Sequence, residues 1–196
     1  TEIYTLSLHD ALPIWSAAQG AAAKLWCWGP MFRYERPQKG RYRQFYQIDA
    51  EFLGIPGAGA DIEIIDLSAE IFRRLGLRNL EVVLNSVGCP VCRPVYRQAL
   101  LEHFEARKGE LCDTCVGRMG RNPLRILDCK DPSCGAVADA APAIYDHLCP
   151  ECRDHFREVQ AGLERLGLPY RLDKRLVRGL DYYTKTAYEK IGRAHV

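Results

Sequence analysis

The chain has 196 residues, 47% hydrophobic and 27% charged, and its 27 lysines and arginines against 25 aspartates and glutamates leave a formal charge of +2. That composition suits one soluble globular core, and no stretch is apolar for long enough to span a membrane. A balance so near zero excludes nucleic-acid binding through bulk charge, so any contact with a polyanion must come from local patches.

Thr1 to Ile14, TEIYTLSLHDALPI, carries acidic Glu2 and Asp10 and has neither a basic start nor a long apolar run, which argues against a signal peptide. Lys24 to Glu35 is aromatic-rich and strand-like, and Pro37-Gln38-Lys39-Gly40 supplies the chemistry of a turn. From Arg43 onward, Arg43, Phe45, Gln47, Asp49 and Glu51 alternate with Tyr46, Ile48, Ala50 and Phe52. A period of two makes one face polar and the other apolar, and the polar face is the site candidate. The expected product is a hairpin whose loop carries Arg36, Lys39, Arg41 and Arg43. On charge alone, such a loop reads as an ordinary solvated one.

Further on, Ile62, Ile65, Ala69 and Phe72 form one helical stripe that ends near Gly76. Leu80 to Val87 reads as a strand, and Cys89 to Glu151 as a run of short helices broken at Pro123, Pro132 and Pro142. A second stripe, Phe156, Val159, Leu163 and Leu166, stops at Gly167 and Pro169, and Leu180 to Glu189 is strand-like again. Helices and strands do not alternate regularly, so the pattern favours α+β over a parallel βαβ layout. Gly54, Gly57 and Gly59 lack the spacing of a Walker or dinucleotide-binding loop.

Of nine cysteines, six form CxxC pairs, Cys89 with Cys92, Cys112 with Cys115 and Cys149 with Cys152, while Cys129 and Cys134 make a looser pair. In a reducing compartment that spacing favours tetrahedral Zn2+ over disulfides. Taken in chain order, Cys89, Cys92, Cys112 and Cys115 would form one closed site, and Cys129, Cys134, Cys149 and Cys152 a second. Which pairs share a metal is not readable from the sequence, and ordinary packed thiols at helix starts are the competing reading. Cys27 reads as a packed small side chain. His103, His147 and His155 read as helix-surface residues.

Two stretches go further than composition. MFRYERPQKGRYRQFYQ, Met31 to Gln47, closely resembles the second signature motif of class II aminoacyl-tRNA synthetases in the form typical of histidyl-tRNA synthetases. LVRGLDYYT, from Leu176, resembles the histidine-specific motif of the same family, and LNSVGCP, NPLRILDCK and APAIYDHLC link the two in the expected order. The resemblance runs from about Lys24 to Glu189. Thr1 to Ile14 and Lys190 to Val196 instead look like translated sequencing-adapter DNA and are set aside.

The resemblance implies a class II antiparallel sheet flanked by helices and interrupted by a small helical, cysteine-rich insertion. The expected divisions are 1–14 and 190–196 as adapter-like tails, 15–87 and 169–189 as two parts of the catalytic core, and 88–168 as the insertion. It further implies a cytoplasmic ligase that uses ATP and Mg2+ to activate L-histidine and charges tRNA(His), as a homodimer when full length. The first and third class motifs and the anticodon-binding domain have no counterpart in the chain, which alone is expected not to charge tRNA.

By position in the motifs, Arg33 would hold the α-phosphate and the substrate carboxylate, with Arg178 opposite. Glu35, Arg41 and Phe45 would meet ATP, Phe45 by stacking on adenine. Gln47 would take the α-amino group, Glu51 and Tyr183 the imidazole, and Tyr182 would line the pocket. Two other readings are a regulatory paralogue serving histidine biosynthesis, against which an intact LVRGLDYYT argues, and a zinc-stapled interaction module.

Overall fold

The computed structural model describes residues 22–34, 36–38, 41–177 and 183–191, and the chain falls into two compact units that divide between Ala60 and Asp61. In the first, β1 (Ala23–Phe32) and β2 (Gln44–Leu53) pair antiparallel in unbroken register, from Ala23 opposite Leu53 to Phe32 opposite Gln44. The Arg33 amide extends the ladder to the Arg43 carbonyl at 2.8 Å, and Gln38 and Arg41 exchange backbone hydrogen bonds of 3.2 and 2.8 Å further out. Among the described residues this sheet has no third strand. Pro30 is therefore tolerated inside β1, since both strands are edges.

Strand alternation sorts the hairpin's side chains as the sequence suggests, but burial is the reverse of the usual case. Trp26, Trp28 and Pro30 share a face with Tyr46, Ile48 and Ala50. That face is the open one: Trp26 and Tyr46 each keep 70% of their surface, and Trp28 stacks on Tyr46 at 6.3 Å. On the other face Cys27, Met31, Phe45, Asp49 and Glu51 are buried or half-buried, and Gln47 is exposed. The polar side is thus the more sheltered one.

Helix α1 (Ala58–Arg74) leads into the second unit and ends in a Schellman cap, in which Gly76 N–H donates to the Arg73 carbonyl and Leu77 N–H to that of Phe72. Next comes β3 (Glu81–Gly88), whose residues from Val82 to Ser86 are all buried. It is the centre of a sheet ordered β4–β3–β5, parallel to β4 (Tyr170–Leu172) and antiparallel to β5 (Lys185–Ile191). The long pairings β1–β2 and β3–β5 are antiparallel, as expected for this α+β fold, while the short β4 joins β3 in parallel because the long connection between them returns the chain in the same direction. The last strand also starts later than the sequence suggests. Tyr183 and Thr184 precede β5, and Leu180 to Tyr182 lie outside the described residues.

That connection is the cysteine-rich insertion. It runs through α2 (Cys92–Glu105), a 3-10 turn at Lys108–Glu110, α3 (Asp113–Met119), α4 (Leu124–Leu127), α5 (Pro132–Asp139), a second 3-10 turn at Ile144–His147, and α6 (Pro150–Arg165). Pro132, where the sequence suggests a break, instead starts a helix: it sits in the first turn of α5, as Pro150 does in that of α6, where a missing N–H costs nothing. The insertion has its own core, built on Tyr96, Leu100, Phe104, Ile126, Leu127 and Val137 with Cys115 and Cys134 among them.

On α6 the stripe of Phe156, Val159 and Leu163 is buried, whereas Leu166 caps the helix and is exposed. Gly162 belongs to that stripe because α6 meets Ile62 there: an added Cβ would lie 2.2 Å from Ile62 Cδ1 and 2.7 Å from Cγ1. Alanine normally gains about 1 kcal/mol over glycine inside a helix. Overpacking of this kind typically costs about 1–3 kcal/mol, so Gly162→Ala is expected to lower the urea midpoint with an unchanged slope. Adding Ile62→Val should recover part of the loss. A more stable single variant would mean that the helices do not meet here.

Candidate active site and cysteine clusters

Arg33 follows β1 directly, and its side chain is held at both ends. Nε donates to the Tyr42 carbonyl at 2.7 Å, and the guanidinium lies over the Phe45 ring, 4.6 Å from its centroid. The ring expected to stack on adenine therefore already carries a planar cation on one face. Gln47 donates to Asp49 Oδ1 at 2.5 Å, and Asp49 Oδ2 receives the Cys27 thiol at 3.8 Å. Strand pairing puts Phe45, Gln47 and Glu51 on one face, the one Arg33 reaches. Arg41 is exposed beyond the strand ends. Glu35, Arg178 and Tyr182 lie outside the described residues. A fork-shaped cation fixed beside an aromatic ring, next to carboxylates and an amide, is suited to a phosphate with a planar base and a small ampholyte.

In the second unit, Tyr183 lines a small cavity with Asn85, Ser86, Arg93, Tyr96 and Lys174. A bulge in the β3–β5 pairing shapes it: the register shifts between Ser86 and Gly88, and Lys185 adopts a left-handed φ of 61°. Ser86 Oγ donates to the Lys185 carbonyl at 3.0 Å and accepts from Gly88 N–H at 3.1 Å, so the irregular turn is hydrogen-bonded internally. Asn85 Nδ2 donates to the Leu176 carbonyl at 2.8 Å. Lys174 reaches the Asp139 and Ala141 carbonyls at 2.5 and 2.7 Å. Arg175 contacts the carbonyls of Leu127 and Cys129 and the carboxylate of Asp139. The segment leading to Arg178 is thereby tied to both β3 and the insertion. Burial drives the Tyr96 phenol well above its usual range, and its hydroxyl donates to the Pro142 carbonyl at 3.2 Å. None of Asn85, Ser86, Lys174 or Arg175 stands out as a site residue in the sequence. The one available signal is a polar pair, Asn85-Ser86, inside an otherwise apolar strand.

The cysteines regroup. Cys89, Cys92, Cys149 and Cys152 form one cluster and Cys112, Cys115, Cys129 and Cys134 another, with the sulfurs of each set within 4.8 Å of one another. This corrects the grouping in chain order, and the reason is topological. Cys92 opens α2 and Cys149 caps α6, and the insertion folds back so that these two helix starts meet beside the end of β3. Gly88 makes the approach possible. It has φ 64°, and a Cβ there would sit 3.3 Å from Cys92 Sγ. Protons are shared unevenly within each set. Burial works to raise the Cys89 thiol, but amide hydrogen bonds from Cys92 and Val91 and the neighbouring thiols bring it down to about 6. Burial pushes Cys115 and Cys152 up. Such donor sets can hold a metal ion.

His155 also departs from expectation. Its side chain is 9% exposed, and Nε2 meets Asp61 Oδ2 at 2.8 Å and Thr186 Oγ1 at 3.3 Å, so it joins α6 to α1 and β5 rather than facing water. His103 is half-buried, with Nε2 2.9 Å from the Val137 carbonyl.

A basic hairpin with one sheltered polar face, followed by a sheet carrying a helical insertion, is the architecture of a class II aminoacyl-tRNA synthetase. The apo histidyl-tRNA synthetase of S. aureus superposes with a TM-score of 0.64 at 39% identity, over 85% of this chain and 38% of that one. An ATP phosphoribosyltransferase regulatory subunit/histidyl-tRNA synthetase from Bacillus halodurans shares the fold, with a TM-score of 0.60 at 20% identity over 96% of this chain and 53% of that one. A family model described as histidyl-tRNA synthetase matches residues 16–193. The histidine–tRNA ligase of Desulforamulus reducens is 53% identical over 85% of this chain and 40% of its own length, and that of Moorella thermoacetica 52% identical over 88% and 41%. The chain belongs to the histidyl-tRNA synthetase family. It spans about two fifths of the length of these curated relatives. Among the described residues, no helix is long and apolar enough to cross a membrane.

Proposed function

We propose that this chain is part of the catalytic domain of a cytoplasmic, homodimeric histidine–tRNA ligase. The L-histidine carboxylate attacks the α-phosphorus of ATP, which Mg2+ would accompany, and pyrophosphate leaves; a terminal ribose hydroxyl of tRNA(His) then attacks the adenylate's acyl carbon, forming the ester and releasing AMP. Negative charge spreads over the phosphoryl oxygens in the transition state, and a preorganised guanidinium fork stabilises it with little rearrangement. Arg33 fills that role with Arg178, while Glu35, Arg41 and Phe45 meet ATP. Gln47, Glu51, Tyr182 and Tyr183 select histidine. The observation that carries this reading is the sheltered face of the hairpin, with Arg33 fixed against Phe45 and Gln47 and Glu51 beside it. Histidine-dependent ATP–pyrophosphate exchange by the full-length parent tests it, and a parent that binds histidine without exchange would be a regulatory protein instead.

Selection of histidine gives a sharper expectation. A carboxylate accepts a hydrogen bond from an imidazole N–H more strongly than an amide does. Glu51→Gln in the parent is therefore expected to raise the KM for histidine about tenfold, the equivalent of roughly 1.4 kcal/mol, and to leave that for ATP nearly unchanged. Equal rises for both substrates would remove Glu51 from the histidine pocket.

A further inference from the structure

We propose that the insertion binds two structural zinc ions in a nested arrangement, an outer one held by Cys89, Cys92, Cys149 and Cys152 and an inner one held by Cys112, Cys115, Cys129 and Cys134. A tetrahedral site with zinc–sulfur bonds of about 2.3 Å has sulfur–sulfur edges of about 3.8 Å. The outer sulfurs stand 3.3, 3.8 and 3.7 Å apart for Cys89–Cys92, Cys89–Cys149 and Cys92–Cys149, and Cys112 and Cys129 stand 4.0 Å apart in the inner set. These are spacings for a shared ion and far from the roughly 2.05 Å of a disulfide.

Backbone amides aim at the sulfurs in both sets, Cys89 N–H at Cys92 Sγ (3.3 Å), Val91 N–H at Cys89 Sγ (3.4 Å) and Cys112 N–H at Cys134 Sγ (3.2 Å). Such donors stabilise thiolates. Each set has two fully buried and two half-buried members, so four sulfurs enclose the centre and leave no position for a substrate. Four thiolates in a closed tetrahedron select zinc for structure.

The two ions have different work. The outer one joins the end of β3 to the start of α6 and so closes the insertion at its base, across 60 residues between Cys89 and Cys149. The inner one pins the short helices α3 to α5 to one another, adding to the apolar core that Met119, Ile126, Leu127 and Val137 build there. It also anchors the Cys129 carbonyl that Arg175 grips at 3.3 Å, which ties it to the segment preceding Arg178.

Metal content is independent of the proposed ligase activity, so the two readings fail separately. The reduced full chain, purified without chelator, is expected to carry two zinc ions by elemental analysis. No zinc, iron in its place, or thiols recovered as disulfides would overturn the proposal. The nesting is read from two quadruple variants, C89S/C92S/C149S/C152S and C112S/C115S/C129S/C134S. Each is expected to keep one ion. Loss of both ions in a folded quadruple variant would show that each ion draws ligands from both sets and would overturn the nesting. Where a variant does not fold, the wild-type chain loaded with cadmium-113 decides. Correlations from each cadmium to cysteine β-protons are expected to reach the four residues of one nested set, and a cadmium seen by Cys89, Cys92, Cys112 and Cys115 together would overturn it.

Discussion

Arg33→Ala in the full-length parent is expected to lower histidine-dependent ATP–pyrophosphate exchange at least about a hundredfold, the roughly 3 kcal/mol that removal of one preorganised donor costs a charged transition state. The unfolding midpoint should move little. The contacts at stake for stability are one hydrogen bond to the Tyr42 carbonyl and an exposed cation–π contact with Phe45, together worth about 1–2 kcal/mol at most. Arg33→Lys restores the charge but neither the planar fork nor the stacking surface, and should recover only a small part of the rate. If the fall is confined to KM for ATP, with kcat preserved, Arg33 binds the nucleotide uniformly and does not act on the transition state.

Much of the fold is legible in the sequence because its signals are local. The alternation after Arg43, the stripe from Ile62 to Phe72 and the buried run of β3 each report a repeat in the chain itself, and each element forms where the repeat places it. What is not legible depends on contacts between distant residues. The CxxC pairs are plain, but whether Cys89 and Cys92 meet Cys112 or Cys149 depends on how the insertion folds back, and spacing holds no record of that. The start of β5 is set by a bulge opposite Ser86 and Gly88, not by the tyrosine-rich composition before it. His155 looks like a surface residue on its own helix, yet Asp61 comes from another element 94 positions away. The hairpin residues are findable because the family motif names them, whereas the Arg33–Phe45 contact needs the β1–β2 register.

The segment before Arg178 offers the second large effect, through Asn85. Its side chain is 2% exposed, and its Nδ2 donates at 2.8 Å to the Leu176 carbonyl, 91 positions along the chain, while Oδ1 has no hydrogen-bond partner among the described residues. Asn85→Asp keeps the shape and replaces the donor with an oxygen facing another oxygen. At neutral pH the new carboxyl must either bury a charge against a carbonyl or hold a proton, and the variant is expected to lose about 3 kcal/mol of stability. The sign of its pH dependence follows. Burial against the Leu176 carbonyl is expected to raise the folded-state pKa above the unfolded value of about 3.9, outweighing the Arg93 and Lys174 cations of the same cavity, of which Lys174 is already engaged by the Asp139 and Ala141 carbonyls, so the folded state binds the extra proton. The penalty is then smallest in acid below that value, grows as pH rises through it, and levels off above the folded-state pKa. Urea unfolding of the parent and variant at several pH values measures this directly, and the gap between their midpoints should widen from acid to neutral. A gap that stays constant or narrows would show that solvent or the Arg93 and Lys174 cations of the cavity, and not the Leu176 carbonyl, set the charge at position 85.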